Sequence, residues 1–181
     1  MLTIDPNTTG VELPSLELLQ KFDVPAPRYT SYPTADRFQK TFTAADYEKA
    51  LKEREAEKPL SLYVHIPFCN DICFYCGCNK QVTRDHSKSG EYLDVLGREI
   101  ELVKEHITGN TTVSQLHFGG GSPTFLNNDD IQRVMALITE HFPLQEGGEF
   151  SMEVDPRTCP PEKVQTLAKV GLNRMSCGVQ D

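Results

Sequence analysis

A chain of 181 residues is long enough for one domain with a real core, and a formal net charge of −8 argues against nucleic acid or an anionic membrane surface as partner. No apolar run approaches the about 20 residues of a membrane-spanning helix, and Met1 to Gly10 has neither the basic nor the apolar region of a secretory signal. Four of the six cysteines fall between Cys69 and Cys78, which points to metal ligation in a reducing cytoplasm over a disulfide framework.

The first 42 residues are dotted with proline and poorly periodic. Ser15 to Phe22 is predicted as a short helix. Pro25-Ala-Pro-Arg28-Tyr-Thr-Ser-Tyr-Pro-Thr34 cannot be regular helix with three prolines so close. It reads as an extended arm on the domain surface; the alternative is an arm that reaches a site, with Arg28 and its two tyrosines as polar contacts. Thr43 to Glu57 reads as a helix with a Thr43/Asp46 capping box and an apolar side of Tyr47, Ala50 and Leu51. We divide the chain into an arm with this helix, residues 1–58, and a sheet domain, residues 59–181.

The sheet domain alternates. Leu60–Ile66 is predicted as the first strand, closed by Pro67 and followed by a cysteine loop to about Thr83. His86 to Ile107 carries the helical stripe Tyr92, Leu96, Ile100, Val103 and Ile107. Val113–Phe118 is the second strand, cut off by Gly119-Gly120-Gly121-Ser122-Pro123-Thr124. A helix follows from Asn128 to Phe142, with Ile131, Val134, Met135, Ile138 and Phe142 inward. Glu149–Val154 is the third strand. Pro160 or Pro161 opens the next helix, with Val164, Leu167 and Ala168 inward and Gly171 as its stop. The fourth strand is Arg174–Val179. Such alternation implies an α/β fold with a parallel sheet. Four parallel strands cannot close a barrel, and a last strand at the chain's end leaves an unpaired edge. The chain is therefore expected to be a fragment of a longer protein.

Ligands of a parallel sheet gather beyond the C-terminal strand ends. Four polar or glycine-rich ends fall there: the cysteine loop, the triple glycine, Glu153-Val-Asp155 and Gln180-Asp181. Ser151, Glu153 and Asp155 have period-two spacing and are expected to share a face. Cys69-x3-Cys73-x2-Cys76 offers three close thiolates. A zinc site would want a fourth ligand, from Cys78, His65 or His86. A four-iron cluster held by three thiolates leaves one iron open to a small molecule, and the x3/x2 spacing favours it. The triple glycine permits close backbone approach to a ligand, but no Lys-Ser/Thr follows in Walker spacing. For Tyr63 the plain alternative to a ligand contact is core packing; His65 and His117 read as hydrogen-bonded structural residues, and Cys159 and Cys177 as half-buried thiols.

The cysteine spacing is the signature of radical S-adenosylmethionine (SAM) enzymes. More narrowly, Leu62-Tyr-Val-His-Ile-Pro-Phe-Cys69, Cys76-Gly-Cys78-Asn-Lys80, Gly119-Gly-Gly-Ser-Pro-Thr124, Glu153-Val-Asp-Pro-Arg157, Gly178-Val-Gln-Asp181 and the arm Pro27 to Thr34 resemble the oxygen-independent coproporphyrinogen III oxidases. The resemblance implies a partial radical-SAM (β/α) barrel, truncated after about four strands and missing a C-terminal domain. It implies a [4Fe–4S] cluster on Cys69, Cys73 and Cys76, with Cys78 not a ligand. It implies two SAM molecules, one contacted by Tyr63, Tyr75, Gly120 and Glu153, the other by Gly121, Ser122 and Gln180. The implied activity is decarboxylation of two propionates of coproporphyrinogen III to vinyl groups, giving protoporphyrinogen IX, with a reducing electron donor such as flavodoxin. Basic groups would meet the tetracarboxylate substrate, Arg28 first, then Lys80 and Arg84. The oxidase is expected to be a monomer, and the 181-residue chain by itself is expected to bind a cluster poorly and turn over little. A haem chaperone of the same superfamily and a zinc-stabilised interaction module are the rival readings.

Overall fold

The computed structural model describes residues 14–24, 34, 37–74 and 76–178. The chain divides into two compact units, Met1–Phe42 and Thr43–Asp181. In the first, helix α1 spans Leu16–Phe22, and Ser15 caps it by accepting from the Leu18 N–H at 3.2 Å. Pro25 to Pro33, with Arg28, lies outside the described residues.

The second unit begins with helix α2, Ala44–Lys52. Its capping box forms in full: the Asp46 N–H donates to Thr43 Oγ1 at 3.3 Å, and the Thr43 N–H donates to Asp46 Oδ2 at 2.8 Å. The Thr43 hydroxyl and N–H hold the Asp46 carboxyl below its ordinary range. The helix stops at Lys52 and not at Glu57, because the next turn is used for long-range bonds. The Arg54 guanidinium donates to the Lys58 and Thr108 carbonyls, and the Ala56 carbonyl accepts from the Asn110 N–H. Of the apolar side expected from Tyr47, Ala50 and Leu51, Leu51 packs on the core while Tyr47 and Ala50 stay exposed.

Four strands form one parallel sheet: β1 Leu60–Ile66, β4 Val113–Gly120, β5 Leu144–Val154 and β6 Arg174–Cys177, in the order β1-β4-β5-β6. Helices α3 Lys88–His106, α4 Asn128–His141 and α5 Pro161–Lys169 are the crossovers. Two short strands not anticipated from sequence, β2 Phe68–Cys69 and β3 Gln81–Val82, pair in parallel. Two boundaries also move. β4 continues through Gly119 and Gly120, and β5 begins at Leu144 with an irregular register before Glu149. Val179, the expected end of the last strand, lies outside the described residues.

Strand alternation sends even-numbered side chains to the helices. Leu60, Val64, Ile66, Leu116, Phe118, Phe150, Met152 and Val154 join Leu93 and Ile100 of α3, Ile131, Val134, Met135 and Ile138 of α4, and Leu167 of α5 in one core. The expected stripe on α4 is buried throughout; α3 adds Leu93 to its stripe, and on α5 Val164 is half-buried and Ala168 exposed. The odd-numbered residues Tyr63, His117 and Glu153 lie on the opposite face, where Tyr63 keeps 59% of its surface. The sheet is thus covered on one side among the described residues.

One-sided packing predicts unequal costs. Phe118→Ala, at a fully buried position, is expected to lose about 3–5 kcal/mol of unfolding free energy in urea, and Tyr63→Ala about 1 kcal/mol or less. Equal losses would mean that both faces are packed.

Candidate metal and cofactor site

The cysteine loop is closed at its neck by backbone hydrogen bonds. Pro67 has no N–H to continue β1, and the chain turns into β2. There the Gln81 N–H donates to the Pro67 carbonyl at 2.7 Å, and the Thr83 N–H to the Cys69 carbonyl at 2.8 Å. Phe68 anchors the neck from below, edge-on to Tyr92 (5.5 Å) and tilted on Phe125 (5.1 Å). Inside the loop, the Cys76 N–H donates to the Cys73 carbonyl at 3.1 Å, and Arg84 pairs with Asp71 at 2.7 Å. All six cysteines are free thiols. Burial, then the neighbouring Cys76, Cys73 and Cys78, pushes the Cys69 thiol up. The Cys78 N–H, aided by the Lys80 ammonium, pulls the Cys76 thiol down. The four thiols therefore share one neighbourhood.

The glycine turn locks onto the other side of the same segment. The Gly121 N–H donates to the Ile66 carbonyl and the Ser122 N–H to the Phe68 carbonyl, each at 2.8 Å. Gly120 has φ +118°, where a Cβ is strained, and a Cβ would also meet the His65 ring at 2.7 Å. At Gly121 a Cβ would lie 2.8 Å from the Pro67 and Phe68 carbonyl oxygens and 2.9 Å from Cys69 Sγ. Thr124 then ties the turn to the end of β5: its Oγ1 accepts from the Asp155 N–H at 3.2 Å and lies 2.7 Å from Thr158 Oγ1. The Lys163 ammonium, whose pKa burial lowers, donates to the Thr124 and Leu126 carbonyls.

On the open face, Tyr63 and His117 stack across β1 and β4 with ring centroids 6.0 Å apart. Tyr63 Oη is 3.0 Å from His65 Nδ1, and His65 Nε2 is 2.8 Å from the Asn79 carbonyl, which ties the face to the cysteine loop. The Gly120 N–H donates to Glu153 Oε2 at 3.2 Å. Burial, then the Glu153 and Cys78 charges, raises the Tyr63 phenol.

The sequence matches the radical SAM superfamily over residues 63–181, the stretch that carries the loop, the turn and this face. The chain belongs to the radical SAM superfamily. Its relatives include proteins named oxygen-independent coproporphyrinogen III oxidase. That of Pseudomonas aeruginosa is 45% identical over 168 residues, 91% of this chain and 36% of the relative. That of Escherichia coli is 48% identical over 166 residues, 92% of this chain and 36% of the relative. A Mannheimia haemolytica protein of the same name is 45% identical over 141 residues, 78% of this chain and 95% of the relative. The solved coproporphyrinogen III oxidase of Escherichia coli, described as a radical SAM enzyme, superimposes with a TM-score of 0.80 at 46% identity over 91% of this chain and 36% of its own length. The chain thus spans about a third of most of these relatives. Neither the haem-chaperone nor the zinc-module reading gains support from them.

A radical SAM protein uses an iron–sulfur cluster and SAM, and the donor set suits the cluster. Among the described residues, no three Cys, His, Asp or Glu side chains converge on a single ion. A cluster does not require that, because each thiolate binds a different iron. The thiols are unpaired, the Gly121 cradle abuts Cys69 Sγ, and Asn70 Oδ1 is buried beside Cys69 without a hydrogen-bond partner. Gly120, Gly121 and Ser122 stand on the rim that carries the loop, and Tyr63 and Glu153 on the open face of the same sheet. Tyr75 and Gln180 lie outside the described residues.

Three expectations need correction. Asp155 does not join Ser151 and Glu153, because the strand ends at Val154 and Asp155 caps a 3-10 turn, Pro156–Thr158, accepting from the Arg157 N–H at 2.9 Å. Tyr63 is exposed and not core, because odd positions of β1 face away from the helices. Of Cys159 and Cys177, the first is half-buried as expected and the second is exposed. His65 and His117 are hydrogen-bonded as expected. The Thr124–Thr158 tie and the β2–β3 neck had no signature in the sequence.

Gly121→Ala is expected to cost about 1–3 kcal/mol in chemical unfolding, because two carbonyls must move. Gly77→Ala meets nothing within 4 Å and is expected to cost less than about 1 kcal/mol. Equal stability of the two variants would contradict the close approach at Gly121.

Proposed function

We propose that this chain is the cofactor-binding part of an oxygen-independent coproporphyrinogen III oxidase. The activity is decarboxylation of two propionate side chains of coproporphyrinogen III to vinyl groups, giving protoporphyrinogen IX in haem biosynthesis. The observation that carries this reading is the fastening of the thiol loop and the glycine turn to one backbone segment, Ile66–Cys69, beside the polar face of Tyr63 and Glu153. The names of the relatives supply the substrate.

In this reading Cys69, Cys73 and Cys76 hold a [4Fe–4S] cluster, and Cys78 stays free. When bound, the cluster and SAM supply the one-electron chemistry that removes a hydrogen from a propionate side chain. The chain's own residues bind and orient. Glu153, held through Oε2 by the Gly120 N–H, presents carboxylate lone pairs to hydroxyl or amine donors of one SAM. Tyr63 offers a ring face and Gly120 an approach without a side chain; Tyr75 completes that contact. Gly121, Ser122 and Gln180 contact a second SAM, and Arg28 meets a substrate carboxylate. A small reducing protein such as a flavodoxin delivers electrons to a monomeric, cytoplasmic enzyme. Six free thiols suit a reducing compartment. Among the described residues, no helix is long and apolar enough to cross a membrane.

The test is anaerobic reconstitution of the 181-residue chain with iron and sulfide, followed by metal and sulfide analysis. Iron and acid-labile sulfide in equal amounts, about four each per cluster, are expected. Cys69→Ala, Cys73→Ala and Cys76→Ala should each lose most of both, and Cys78→Ala should retain them. Stoichiometric zinc without sulfide, or loss on Cys78→Ala equal to that on Cys73→Ala, would contradict the assignment.

A further inference from the structure

His117 stands in register with Tyr63 on β1 and Ser151 on β5, so three side chains lie side by side across the open face. Its ring is fixed on both flanks. Tyr63 stacks on it, with an interplanar angle of 24°, and Ser151 Oγ lies 2.7 Å from Nδ1. The other nitrogen, Nε2, faces Glu153 Oε1 at 3.6 Å. Glu153 is thereby approached from two sides, by the Gly120 N–H on Oε2 and by His117 on Oε1.

The tautomer follows from the neighbours. Ser151 has one hydroxyl hydrogen and two acceptors in reach, Nδ1 at 2.7 Å and the Leu116 carbonyl at 3.4 Å. The 2.7 Å contact fits either tautomer, because Oγ can accept from an Nδ1–H while donating to the Leu116 carbonyl; Glu153 decides, since a bare Nε2 would face its carboxylate. Nδ1 is then the acceptor, and the ring proton sits on Nε2, directed at a carboxylate. The opposite tautomer would set a lone pair against Glu153. The set Ser151, His117 and Glu153 is not a hydrolytic triad: Ser151 is only 6% exposed, beneath the ring, with no room for a reacting carbonyl.

We propose that His117 is the positioning residue of Glu153. A relay joins the Ser151 hydroxyl to Nδ1 by a hydrogen bond at 2.7 Å and the Nε2–H to Oε1 by a longer, electrostatic contact at 3.6 Å. It orients the carboxylate so that its outward lone pairs meet hydroxyl or amine donors of a bound ligand. The ligand assignment rests on the proposed SAM reading; the relay itself does not. Preorganisation of this kind acts on ligand affinity, because the carboxylate no longer has to be ordered on binding.

Two measurements test it. The first is 15N NMR of the histidine-labelled chain without cofactors, with the His117 signals assigned through His117→Gln. A protonated Nε2 and a bare Nδ1 are expected, with the preference weakened in Glu153→Ala. A protonated Nδ1 with a bare Nε2 would overturn the relay. The second is SAM affinity of the reconstituted chain, read from the perturbation of the reduced cluster's spectrum. His117→Asn keeps a polar group near Ser151 but falls short of Glu153, and should weaken SAM about tenfold. His117→Gln, whose amide reaches the Nε2 position, should stay within about threefold of wild type. His117→Asn/Glu153→Gln should be no weaker than Glu153→Gln alone. An unchanged His117→Asn, or losses that multiply in the double variant, would overturn the positioning role. A wild-type spectrum blind to SAM, with the tautomer as expected, would overturn the SAM reading and leave the relay standing.

Discussion

The backbone from Ile66 to Cys69 is hydrogen-bonded from two directions. The Gly121 and Ser122 N–H groups reach the Ile66 and Phe68 carbonyls, and the Gln81 and Thr83 N–H groups reach the Pro67 and Cys69 carbonyls, all between 2.7 and 2.8 Å. Four successive residues thus accept bonds alternately from the glycine turn and from the far side of the cysteine loop. Most of the site's local order depends on this stitch. It holds a loop that has little packing of its own, since Phe74 is fully exposed and Ile72 largely so. It also accounts for the glycines, because a side chain at 121 would occupy the space of the carbonyls that it must meet.

The sheet supplies the second constraint. Parallel strands put all their C-terminal ends on one rim, and the period of two divides apolar from polar residues between the faces. The core behind the sheet is anchored by Phe118, Met152, Ile66 and the helix stripes. The front carries Tyr63, His117 and Glu153 at adjacent strand positions. Rigidity behind and polarity in front let the carboxylate of Glu153 accept from the Gly120 N–H and face the His117 ring without a loop. Binding groups carried on strands are placed more accurately than groups on loops.

Much of this was legible in the sequence, and the reasons for success and failure are physical. Even-numbered apolar residues in the strands and the α4 stripe follow local periodicity, which the tertiary fold only completes. The Thr43/Asp46 box is decided by residues three apart. The failures lie where distant residues decide. Helix α2 stops early because Arg54 and Ala56 bond to the segment around Thr108 and Asn110. Asp155 leaves the Ser151–Glu153 face because Arg157 and Thr124 turn the chain there. The β2–β3 pair joins residues separated by the whole cysteine loop, and two residues of strand carry no periodicity to read. At the site, the cysteine spacing marked the loop directly. His117 looked like an isolated histidine until its partners on β1 and β5 were placed beside it.

The central claim is that the Cys69–Cys76 loop carries a cluster with an iron open to SAM, on the rim that presents Glu153. The most direct measurement is the EPR spectrum of the anaerobically reconstituted, reduced chain, recorded with and without SAM. A four-iron signal that changes when SAM is added is the predicted result. A four-iron signal identical in the presence and absence of SAM would contradict the account.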